Sequence, residues 1–70
     1  ADLDDIGARI SIEHALTRIA EQGRVVFTLK AVEGYSHAEI AELLGISRTA
    51  SEVRYWRAIR QLRRIMETTR

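Results

Sequence analysis

The chain has 70 residues, enough for one small domain and too few for a second core. A 46% hydrophobic fraction, 30% charged residues and a net charge of +1 describe a folded globular chain, neither disordered nor strongly polyionic. Cysteine is absent, which excludes disulfides and thiolate metal sites.

Catalysis is disfavoured by size and by inventory. A chain this short buries only about 60% of its unfolded surface, leaving little to shape a deep pocket. His14 and His37 have no partner at metal-ligand spacing, and the four glycines are scattered singly. Ser36 and His37 are adjacent in sequence, which is not a nucleophile–base geometry. The chain is therefore not expected to be an enzyme, and no cofactor or metal is implied. The longest apolar run, Val25-Val26-Phe27, is far short of a membrane span. The acidic start Ala1-Asp2-Leu3-Asp4-Asp5 is wrong for a signal peptide, so a cytoplasmic protein is expected.

Without proline and with little β-branched alternation, the chain reads as all-helical in four blocks. The first runs from about Asp4 to Ala20. Leu3, Ile6 and Ile10 fall on one side of it; Ile12, Ala15, Leu16 and Ile19 fall on the other. A break near Ser11, a suitable N-cap, reconciles the two faces. Residues 1–10 then form a linker end or separate segment, and 11–70 the domain. The second block, about Arg24 to Glu33, aligns Val25, Val26, Leu29 and Val32 and stops at Gly34.

The third block opens with Ser36-His37-Ala38-Glu39, the spacing of a capping box. It carries Ile40, Ala41, Leu43 and Leu44 and is closed by Gly45. Ile46 is expected to plug the angle between the helices, and Ser47 to cap the fourth, which runs from Arg48 to about Met66. A short helix, a tight glycine turn and a long basic helix make a helix-turn-helix. The predicted fold is thus all-α, with four helices and a long C-terminal recognition helix.

Charge is unevenly placed. Residues 1–45 carry 4 basic and 8 acidic groups, −4; residues 46–70 carry 7 and 2, +5, and all seven are arginines. On the fourth helix Tyr55, Ala58, Ile59, Leu62, Ile65 and Met66 form an apolar face with Ser51 at its edge. The opposite face holds Val53, Arg57, Arg60 and Arg64, flanked by Arg54 on one side and by Trp56 and Arg63 on the other.

Two functions suit that face. As a major-groove reader, Val53 would meet a thymine methyl, Arg54 or Arg57 a guanine, and Glu52 a cytosine amine. Arg60 would join them. Arg48, Thr49 and Ser51 would hold phosphates at the helix N-terminus. As a protein contact, Val53 and Trp56 would be the anchors. Three residues elsewhere complete the expectations. His37 is expected at the solvent, Tyr35 as a packed ring, and Phe27 either against the first helix or on a docking surface.

The stretch Val32 to Ser47 resembles region 4 of bacterial RNA polymerase sigma factors, closest to the extracytoplasmic-function group. Ala15-Leu16, Arg24 to Leu29, Arg54, Arg57, Ala58, Leu62 and Arg63 fall in register with it, so the resemblance covers about residues 12–66. It implies recognition of the promoter element near −35, by a recognition helix in the major groove of double-stranded DNA. It also implies docking of the first two helices on the β flap of RNA polymerase, and in many members control by an anti-sigma factor. A full sigma factor carries a second domain for the −10 element, so the chain is expected to be a fragment. Response-regulator effector domains are the next resemblance. The chain departs from the family at Ile19-Ala20, where Leu-Pro is usual, at Ser51 in place of a core valine, and at Glu52 in place of a common lysine.

Overall fold

A computed structural model describes residues 12–68 of the chain. The segment 1–10 and the proposed break and cap at Ser11 lie outside the described residues. All the regular structure among the described residues is helical. Helix α1 covers 12–16, and α2 covers Glu21–Phe27 and runs on into a π turn, Thr28–Val32. Helix α3 covers His37–Leu44, and α4 covers Arg48–Thr68.

Helix α1 ends four residues before the sequence-based limit at Ala20. The Thr17 hydroxyl donates to the His14 carbonyl at 2.6 Å, and the amides of Thr17 and Arg18 close short bonds to His14 and Ala15. A threonine that bonds back to its own preceding turn competes with continuation of the helix. Ala20 then turns extended (φ −58°, ψ 142°), and its carbonyl accepts the Arg24 amide at 3.0 Å. Helix α2 therefore starts three residues earlier than expected. Alanine offers no side-chain cap, so no start signal was there to read.

The second expected apolar face also fails in part. Through the π turn each amide reaches back five residues, as Glu33 does to Thr28 at 3.0 Å. Side chains beyond Thr28 fall out of the 3.6-residue pattern. Val26 is fully buried and Leu29 half-buried, but Val32 is 67% exposed and Val25 also faces outward. Gly34 ends the segment with φ 83°, the left-handed residue its position suggested. Tyr35, whose amide bonds to the Leu29 carbonyl at 2.9 Å, is 38% exposed.

The helix-turn-helix matches its sequence signals bond for bond. The Ser36 hydroxyl accepts the Glu39 amide at 3.1 Å, and the Glu39 carboxylate accepts the Ser36 amide at 2.9 Å. Those bonds, the backbone one first, hold the Glu39 carboxyl below its ordinary pKa. At the far end Gly45 takes φ 67°, and the Ile46 amide closes on the Ala41 carbonyl at 3.0 Å. Ser47 caps α4 by accepting the Ala50 amide at 2.9 Å.

Ala15, Ile19, Ala58 and Leu62 form the buried centre, with Leu16, Phe27, Ile65 and Met66 packed around it. Helix α4 is thus the common wall for the other elements, and its apolar face is the one its sequence spacing indicated. At Gly23, buried on α2, an added Cβ would stand 3.2 Å from the Ala58 Cβ. Two small residues there let α2 and α4 approach closely. Ile40 is the buried residue of α3, fully removed from solvent.

Candidate nucleic-acid interface

Because one side of α4 is committed to the core, the opposite side is presented outward along the whole helix. Thr49, Val53, Arg57, Arg60 and Arg64 lie within about 80° of one another on that side, by 100° steps per residue. All five are exposed. Thr49 to Arg60 spans about 16 Å at 1.5 Å per residue, and a major groove is about 12 Å wide. The stripe is therefore long enough to cross a groove and reach phosphates at its edges.

The expected site residues divide by burial. Arg48, Thr49, Val53, Trp56, Arg57 and Arg60 are exposed, whereas Glu52 and Arg54 are half-buried. Trp56, 65% exposed, sits beside the stripe and not in the core. Arg60, Arg63, Arg64 and Glu67 line a shallow open depression further along the helix. From Arg48 to Thr68 the helix carries 6 arginines and 2 glutamates, a net +4. Phosphate oxygens and guanine edges are the groups such a surface binds best.

Three residues sit deeper in the fold than their expected roles suggest. Ser51 cannot hold a phosphate, because it is 0% exposed and its hydroxyl lies 2.9 Å from His37 Nδ1. Its position on the apolar side of α4 was the sign of this. His37 is not a solvent residue: it is half-buried, and its ring meets Tyr55 edge-on at 5.5 Å. Phe27 is only half-exposed, packed on the core and stacked with Tyr55 at 6.0 Å, so it is a poor docking residue.

Helix order, the capped turn and the outward basic helix are the frame into which the sequence comparison falls. The family model for sigma-70, region 4, matches residues 9–62. The chain belongs to that family. No curated protein and no solved structure matches it. The match runs from residue 9 to Leu62, so it takes in α2, α3, the turn and α4 as far as Leu62, with the exposed Arg48, Thr49, Val53, Arg57 and Arg60. Sigma region 4 is a family of helix-turn-helix transcription domains that bind DNA, and is not an enzyme family. No described helix is long and apolar enough to cross a membrane. Among the described residues no cluster of His, Asp and Glu is arranged to hold a metal ion.

Proposed function

We propose that this sigma region 4 domain recognises the −35 promoter element through the outer face of α4, acting with RNA polymerase at transcription initiation. The observation that supports it is the arginine stripe on the long helix of a capped helix-turn-helix, in a chain of this family. In this reading Val53, Arg57 and Arg60 face base edges, with Arg54 and Glu52 on the flanks. Arg48 and Thr49, at the start of α4, hold phosphates with the help of the helix N-terminal dipole. Helices α1 and α2, on the other side of α4, are the surface for the polymerase flap. The domain occupies residues 11–70, with 1–10 as an N-terminal segment or linker end, in the cytoplasm.

With a net charge of only +1, affinity in isolation is modest and falls with salt. The test is selection of bound duplexes from a randomised pool at low salt. Arg57→Ala is expected to relax preference at one base pair, worth about 1–3 kcal/mol of discrimination. Arg48→Ala should weaken all sequences alike. Equal, sequence-blind losses from both would overturn these roles.

A second reading is favoured by one observation, the exposure of Trp56 beside Val53 and the arginines. It makes the same face a contact for a protein such as an anti-sigma factor. Under it Trp56→Ala abolishes a protein complex and leaves duplex binding unchanged.

A further inference from the structure

We infer that His37 is a positioning residue for the recognition helix: through Ser51 and Tyr55 it sets the rotation of α4, and with it the residues that face DNA. The inference rests on the duplex-binding reading above. Ser51 is a fully buried hydroxyl in the fourth position of α4, on the face otherwise made of Ala58, Leu62 and Ile65. A buried hydroxyl is costly unless bonded, and no described buried side-chain polar atom lacks a partner.

His37, the first residue of α3, shares a 2.9 Å hydrogen bond with Ser51 across fourteen residues of sequence. The same imidazole packs edge-on against Tyr55, one turn further along α4, and Tyr55 stacks on Phe27 where α2 meets its π turn. One ring therefore holds two successive turns of α4, by a directional bond at Ser51 and an aromatic contact at Tyr55. An apolar contact at Ser51 would tolerate sliding and rotation; a hydrogen bond to a ring nitrogen does not. Thr49, Glu52 and Val53 share that turn, so a rotation at Ser51 is passed to them directly. The start of α3 is itself held by the capping box at Ser36, which gives the clasp a fixed end.

The test is a double-mutant cycle with His37→Phe, Ser51→Val and the two combined. His37→Phe keeps a ring against Tyr55 and removes the bond; Ser51→Val removes the hydroxyl; the pair restores a matched apolar contact. Each protein is followed by urea unfolding and by affinity for the selected duplex and for a random duplex of equal length. The expected result is an approximately fivefold fall in the selected-to-random ratio for each single variant, and recovery to within about twofold in the double. Folded single variants that keep the wild-type ratio would overturn the inference, since a merely structural role lowers stability without changing discrimination. If the wild-type chain shows no duplex preference, the function proposal fails and positioning is read in the free protein. His37→Phe should then shift the amide resonances of Arg48 to Val53; shifts confined to α3 would overturn it.

Discussion

The α3–turn–α4 unit and the α2–π-turn segment are neighbours in the chain, yet they are held in different ways. In the first, helix ends are tied by local side chains: Ser36 and Glu39 at the start of α3, and Ser47 at the start of α4. In the second, neither the start of α2 at Ala20 nor its passage into the π turn has a side-chain cap bond. That segment is shaped by what it rests on, through Val26, Phe27 and the close Gly23–Ala58 approach. Local capping makes the recognition unit self-specified, while packing makes the scaffold conform to α4.

The largest blow to either region is a cavity. Ile40→Ala, at the fully buried anchor of α3, should cost about 2–5 kcal/mol. Urea unfolding would measure it, and the loss rivals the total stability expected of a 70-residue domain, about 4–10 kcal/mol. A loss below 1 kcal/mol would show that α3 stands on its caps alone.

Gly23→Val tests the scaffold's dependence on packing. Its Cβ would meet Ala58 at 3.2 Å, so α2 must shift, at a cost of about 1–3 kcal/mol. A neutral result would mean that α2 is free to move off α4. Ser36→Ala removes the cap at α3 and should cost about 1 kcal/mol by thermal or urea unfolding. The matching change at Ala20, to Ser, should raise stability if α2 truly lacks only a cap.

The smallest effect is one of pH. The folded-state pKa of Glu39 is lowered, so its contribution is present above the unfolded carboxylate range and is lost as pH falls through the lowered value. The stability difference between wild type and Glu39→Gln should therefore shrink on acidification from neutral pH. A difference that grows in acid would contradict the capping geometry.

By itself, the order of residues determined the capping box at Ser36 and Glu39, the left-handed Gly45, the cap at Ser47 and the two faces of α4. These rest on interactions within a few residues or on helical period, which any reading of spacing can follow. The same spacing put Val53, Arg57, Arg60 and Arg64 on the outward face, where the structure has them exposed. Only the tertiary structure decided that the π turn exposes Val32, that Gly23 meets Ala58, and that Ser51 is bonded to His37 inside the domain. Those outcomes depend on partners distant in sequence: Ala58 for Gly23, Tyr55 for Phe27, and His37 for Ser51. A buried polar group or a tight helix crossing takes its meaning from the atoms opposite it, and chain order alone does not place those atoms.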